Sequence, residues 1–382
     1  MSQPTRLPKA SIQRFFKNLP DPRRHQGKVI HPLMTIVVIA LCATVAGAND
    51  FQMMVVFAKE RLHWLAKFLD LSNGIPSHDT FERVFAHLNP TAFQRCLLRW
   101  VASLQQESQG KIIAIDGKVA REAMNRSQDK GPLCLVTAWA SANHMLLGQV
   151  AGPKGSNELG ALPALLELLD LNGAIVTLDA LGCQKEIVKK IVDEGGQYVI
   201  SVKANQEKLE KAVHDALEAS LNSDELDPQQ THTTTERGHG RIEKRTTTAI
   251  PAPEEFDNKE DWKDIKSFAM VVRETTGKDG TTRVGIRYYI SNLLPKAKKL
   301  SELVRGHWGI ENGLHWQLDV SFCEDLNRAR KENAQANLGV LRRVALSMIK
   351  NTPKLTGSIQ SKRFQAGLNE KKLEAILFGT VI

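Results

Sequence analysis

Between residues 11 and 106 the apolar positions recur at helical spacing. Ser11 is placed to cap a first short helix, and Pro32 stands where a second can begin, ahead of Leu33-Met34-Thr35-Ile36-Val37-Val38-Ile39. That stretch is apolar nearly all round, which predicts a buried helix, although its β-branched residues are stiff there. Gly74-Ile75-Pro76-Ser77 reads as a turn with Ser77 as N-cap. Phe81, Val84, Phe85 and Leu88 then keep the helical period until Asn89-Pro90 stops it. Short helices with basic residues between them suit a small DNA-binding module, and suit a packing or dimerisation domain equally.

From Lys111 the period shortens to that of strands. Lys111–Asp116 is an apolar run ending in Asp116-Gly117-Lys118, and Leu133–Ser141 and Met145–Val150 continue the pattern. Asn157–Leu169 reads as an amphipathic helix, Ala174–Asp179 as a strand, Gln184–Glu194 as a helix and Tyr198–Lys203 as a strand. The segments Thr233–Glu236, Arg241–Thr248, Phe268–Glu274 and Val284–Ile290 make a β-rich insertion over about 221–292. Lys296–Arg305 and Ile310–Leu318 return to helix, and Asn333–Lys350 predicts a long basic one. The chain is therefore of the α/β class, with a mixed-sheet core. It divides into a helical N-terminal domain (1–108), a central domain carrying the insertion (109–330) and a basic helical tail (331–382).

A length of 382 residues allows two or three domains, and 42% hydrophobic with 24% charged residues is ordinary for a globular protein. The net charge of +9 is unevenly spread. Residues 1–30 carry +6 and residues 328–372 carry +9, so the remainder sums to −6. An acidic middle between basic ends is the layout of a catalytic core with phosphate-contacting arms; solvated helix faces are the plainer alternative. Five scattered cysteines without a CxxC pair indicate neither a disulfide framework nor a cysteine zinc site. No signal peptide opens the chain, and the apolar run Leu33 to Ala46 is shorter than a membrane span, so a cytoplasmic protein is expected.

Two aspartates, Asp116 and Asp179, each close a strand-like run and are followed by small residues. Carboxylates held on neighbouring strands can bind Mg²⁺, which takes hard oxygen ligands and can activate one phosphodiester oxygen while stabilising another. Either aspartate alone is as readily a simple turn. His307, Glu311 and His315 stand four residues apart and would share a helix face, which also admits a zinc site. Asp319, Glu324 and Asp325 are rival acids downstream. Arg237-Gly238-His239-Gly240-Arg241 joins basic side chains to glycines that let backbone meet phosphate, or is just a hairpin turn. Lys118 and Lys203 follow strands near the presumed site and are candidate phosphate contacts. Trp308 offers a face for base stacking, or simply packs its helix.

Five motifs occur in order: Ile115-Asp116-Gly117-Lys118, Lys154-Gly155-Ser156-Asn157-Glu158, Leu178-Asp179-Ala180, Arg237-Gly238-His239-Gly240-Arg241-Ile242-Glu243 and His307-Trp308-Gly309-Ile310-Glu311-Asn312. With Asp21-Pro22-Arg23, Gly47-Ala48 and Ile75-Pro76-Ser77-His78-Asp79-Thr80-Phe81 near the N-terminus, they resemble the DDE-class insertion-sequence transposases of the H-repeat-associated branch. The resemblance spans about residues 10 to 350. It implies an RNase H-like core in which Asp116, Asp179 and Glu311 bind two Mg²⁺ ions, with Mn²⁺ able to replace them. It further implies double-stranded DNA as substrate, metal-dependent cleavage at element ends with strand transfer into target DNA, and a homodimer on paired ends. The chain departs from the family where Tyr, Arg and Lys are usual around the glutamate; it has Val304, His307 and Leu318, of which His307, when protonated, can still donate to a phosphate. A nuclease of the same fold and an inactive DNA-binding relic are the competing classes.

Overall fold

The computed structural model describes residues 14–23, 29–104, 112–120, 133–152, 158–223, 227–238 and 240–379; Ser11 and His239 lie outside them. Residues 14–16 are helical, and beyond them the described residues form α1 (Leu33–Val45), α2 (Phe51–Glu60), α3 (Leu62–Leu65), α4 (His78–His87) and α5 (Pro90–Leu104). Every residue of α1 from Thr35 to Val45 is buried, as a helix apolar all round must be. Thr44 hides its hydroxyl by donating to Ala40 O at 2.7 Å. Ser77 accepts the Thr80 N–H and caps α4, whose Phe81, Val84 and Phe85 are buried. Asn89 ends one helix and caps the next, accepting the Ala92 N–H at 2.9 Å.

Nine strands form one sheet: β1 (Ile112–Ala120), β2 (Leu133–Ala140), β3 (Met145–Ala151), β4 (Ile175–Leu178), β5 (Gln197–Val202), β6 (Thr231–Gly238), β7 (Arg241–Pro251), β8 (Ser267–Thr276) and β9 (Thr282–Ser291). Their order is β3-β2-β1-β4-β5-β9-β8-β7-β6. Only β1–β4 and β4–β5 pair in parallel. The inserted strands join the core sheet through β5 and β9, with Val199 opposite Ser291, so the insertion extends one sheet. Between strands lie α6 (Leu162–Leu166), α7 (Lys185–Asp193) and α8 (Glu207–Asn222). The helix expected over 157–169 is thus a short 3-10 turn, Glu158–Gly160, followed by α6. The segments expected as two helices after the insertion are one continuous run: α9 (Ala297–Ile310), a π-helical turn (Glu311–His315) and α10 (Trp316–Val320). Asp116 does not end its strand. The parallel ladder to β4 stops at Ile115, but the antiparallel ladder to β2 carries β1 on to Ala120.

Alternation along β1 sends its side chains to two cores. Ile113 and Ile115 pack with α6 and α7, whereas Ala114 faces a helical core built from both ends of the chain. That second core overturns the picture of a free basic tail. In α11 (Ala334–Lys350) every residue from Ala334 to Ile349 is buried, and α12 (Ile359–Leu368) and α13 (Glu370–Phe378) pack behind it. Arg343 is 0% and Arg342 2% exposed. Arg343 donates to Glu324 at 2.8 Å, to Thr137 Oγ1 at 3.2 Å and to Gly339 O at 3.1 Å. Arg363 is spent on carbonyls of Thr44, Ala48 and Ser321. Paired arginine can be buried; a charge count along the sequence does not reveal the pairing. Among the described residues no helix is long and apolar enough to cross a membrane.

Burial pushes the Glu324 carboxyl up, but Arg343, Arg342 and Lys118 outweigh it and hold it below its ordinary value. Its contribution to stability is therefore present above the unfolded pKa, about 4.3, and lost as pH falls through the lower folded value. Glu324→Gln should lower the unfolding free energy by about 3–5 kcal/mol, because Arg343 is left buried and unpaired. Urea midpoints at neutral pH and below about pH 4 check this; the gap between variant and wild type should shrink in acid.

Candidate active site

Ile115 of β1 lies opposite Leu178 of β4, and the next residue on each segment is an aspartate. Adjacent strands stand about 4.8 Å apart, so Asp116 and Asp179 leave the sheet side by side. Strand alternation puts both on the face that carries α9. Asp116 accepts the Gly117 N–H at 3.0 Å. Asp179 folds its carboxylate over its own turn, accepting from Leu181 N–H at 3.0 Å and Gly182 N–H at 3.3 Å. Asn205, just past β5, donates to Ala180 O at 2.8 Å and props that turn from outside.

Glu311 opens the π-helical turn and is exposed. The Trp316 N–H reaches back to Glu311 O, the long bond of a π turn, a device found often at functional sites. The wider turn rotates His315 out of the four-residue stacking expected with His307. His307 is buried, with Nδ1 3.1 Å from Thr177 Oγ1. Burial pushes its imidazole down to about 4 against the pull of Asp179, which favours the neutral ring at neutral pH. His315 Nδ1 lies 3.4 Å from Asp116 Oδ2. Burial, then Arg343, pushes His315 down to about 3, and its Nε2 is buried without a hydrogen-bond partner among the described residues. Burial pushes the Asp116 carboxyl up to about 7, helped by the charges of Glu158, Asp179 and Glu311.

The expected phosphate contacts fare differently. Lys118 is 9% exposed and held by Asp319, by Asp325 at 2.9 Å and by Glu324 at 3.9 Å, so it is committed inside the protein. The same contacts occupy the three rival acids. Lys203 is exposed at the end of β5. Arg237 and Arg241 line a cleft of about 620 Å³ with Arg273, Arg287, Arg305 and Trp308. Trp308 is 39% exposed and carries the Arg287 guanidinium 4.0 Å above its ring, so it does not pack its helix onto the core. Gly309 and Asn312, which flank Glu311 in the chain, also wall this cleft; Glu311 itself does not line it. Thr177 and Asn205 escaped the reading of the sequence because each acts through a contact made only by the fold.

Among the described residues no three His, Cys, Asp or Glu side chains converge to hold an ion unaided. Mg²⁺ asks for less: one or two carboxylates, with water and substrate phosphate completing the shell. The oxygen donors Asp116, Asp179 and Glu311 fit that chemistry.

These features define a carboxylate site on a mixed sheet, and comparison places it in a family. Residues 107–348 match the family described as Transposase DDE domain, and residues 13–101 match the DDE_Tnp_1-associated family. The chain belongs to the DDE transposase family. It is 36% identical over 370 residues to the "Putative transposase YncI" of Escherichia coli O157:H7, covering 96% of this chain and 94% of that one. It is 33% identical over 370 residues to the "H repeat-associated putative transposase YhhI" of Escherichia coli (strain K12), covering 95% and 96%. A short relative of the same strain, 38% identical over 61 residues and covering 16% of this chain and 73% of its own, is named "Inactive transposase YbfQ".

A carboxyl raised by folding costs stability above its unfolded pKa; the cost is absent in acid and complete above about pH 7. Asp116→Asn should therefore melt higher than wild type in metal-free buffer at about pH 8, by roughly 2–4 °C for each kcal/mol relieved. Near pH 3 the two should melt together. A lower melting point at pH 8 would instead show the carboxylate to be a structural acceptor.

Proposed function

We propose that this chain cuts DNA at the ends of an insertion sequence and joins the freed strand to target DNA, using Asp116, Asp179 and Glu311. The observation that carries the reading is the pair of aspartates leaving adjacent parallel strands on one face, with Glu311 presented by a π turn of the helix packed there. In this reading β3-β2-β1-β4-β5 is an RNase H-like core, and the three carboxylates hold Mg²⁺, or Mn²⁺ in its place. The ion would activate the attacking oxygen and stabilise the leaving one. The protein's part is to aim the carboxylates, through the Asp179 turn and the Gly117 amide, and to hold the DNA backbone.

The arginines of the cleft walled by Trp308, Gly309 and Asn312 serve that second task. Guanidinium forks match phosphate oxygens, and Arg287 stiffened on Trp308 presents such a fork. Attack by a water, and then by the freed 3′-hydroxyl, proceeds in line at phosphorus without a covalent protein–DNA intermediate. A homodimer holding paired ends completes the proposal.

Asp116→Ala, Asp179→Ala and Glu311→Gln should each lose at least about a hundredfold in cleavage, the scale for removing one preorganised electrostatic contact. DNA binding should stay or strengthen, since bare carboxylates repel phosphate. Asp319→Asn should keep measurable cleavage. Pre-cleaved ends incubated with target DNA and Mg²⁺ should give joined product. Cleavage without joining would identify a nuclease, and binding with neither would identify a relic. A Glu311→Gln protein that cleaves at the wild-type rate would move the third ligand elsewhere.

A further inference from the structure

Gly117 has an ordinary backbone conformation, so its turn chemistry does not require glycine. Space does. A Cβ built at 117 would stand 2.2 Å from both Cγ and Cδ of Glu158 and 2.7 Å from its Oε1, closer than any real side chain tolerates. Glu158 opens the 3-10 turn before α6 and thus comes from the side of the sheet that carries Ile113 and Ile115. Its carboxyl fills the gap that Gly117 leaves, directly beside Asp116. Glu158 is thereby close enough to Asp116 and Asp179 to feel the charge of each.

No cationic side chain among the described residues pairs with Glu158. Half-buried like charges set together without a counter-ion repel strongly, because the surroundings screen them poorly. A protein that keeps a glycine so that a further carboxylate can join such a group has placed it there for a cation.

We infer that Glu158 is a fourth metal-binding carboxylate of this site, reaching it through the gap at Gly117. The fourth ligand presupposes the metal reading of Asp116, Asp179 and Glu311. It makes the centre a four-carboxylate one, with ligands delivered from both faces of the sheet.

Mn²⁺ uptake by the full chain, followed by electron paramagnetic resonance without DNA, tests this apart from catalysis. Glu158→Gln should bind one ion fewer or bind at least about tenfold more weakly. In EDTA it should melt above wild type, since a repelling charge has gone. Gly117→Ala, which expels the same carboxylate, should show the same loss of Mn²⁺. Wild-type Mn²⁺ binding by Glu158→Gln, alongside lost binding by Asp116→Asn, would overturn the fourth ligand and leave the triad standing. Wild-type binding by Asp116→Asn as well, or no Mn²⁺ uptake by the wild type, would overturn both. A Glu158→Gln protein that melts lower in EDTA and binds Mn²⁺ normally would mark Glu158 as structural.

Discussion

The buried contact between Glu324 and Arg343, extended by Arg342 and Lys118, is the constraint on which the rest of the molecule hangs. Arg343 comes from α11, Lys118 from β1, and Glu324 from the 3-10 turn (Glu324–Leu326) that follows α10. Arg343 also touches Thr137 of β2, so one side chain ties helix, turn and sheet. Removing two charges from water costs several kcal/mol per ion, so such a network adds little net stability over an apolar replacement. Its effect is positional. With Lys118 satisfied by Asp319 and Asp325, and Glu324 by arginine, three of the acids near the site have partners. The acids left without a Lys or Arg partner among the described residues include Asp116, Asp179, Glu311 and Glu158.

That remainder explains the electrostatics of the centre. Burial and repulsion act in the same direction on Asp116, and the neighbouring histidines bring no relief because burial keeps them neutral. The scaffold therefore carries the cost of an uncompensated group of carboxylates, and other contacts must offset it. Strain of this kind gathers at functional sites and persists only where the surroundings over-determine the geometry. The surroundings here do so: the Asp179 turn is fixed by its own amides and by Asn205, and His307 is pinned on Thr177.

Much of this was legible in the sequence, and the hidden parts share a common cause. The all-apolar α1, the Ser77 cap and the strand runs into Asp116 and Asp179 arise from local chemistry, and the structure has them. The continuation of β1 past Asp116 was hidden because pairing with β2, not hydrophobicity, carries the strand there. The π turn was hidden because His307, Glu311 and His315 look α-helical at four-residue spacing. The four insertion strands were visible, but their attachment to β5 depends on a pairing between residues some ninety positions apart. Glu158 appeared in the sequence only as part of a motif. Nothing in one dimension says that its carboxylate passes where Gly117 has no side chain.

The basic C-terminus shows how far a charge count can mislead. Residues 328–372 hold eleven Lys and Arg, yet Arg342, Arg343 and Arg363 are at most 3% exposed. The three arginines act as internal fasteners, binding Glu324 and backbone carbonyls, and cannot be withdrawn from the fold to meet a phosphate. Positive surface close to the chemistry must come from elsewhere, and the sheet supplies it. The strands β6 to β9 and helix α9 bring Arg237, Arg241, Arg273, Arg287 and Arg305 to one cleft. In sequence these arginines are dispersed over about seventy residues and set among acids, so no basic run marks them. The antiparallel ladder gathers them, and Glu236 and Glu243 hold Arg305, Arg245 and Arg241 in place. An apparently acidic middle segment thus builds its own concentrated positive surface against the helical run that carries Glu311.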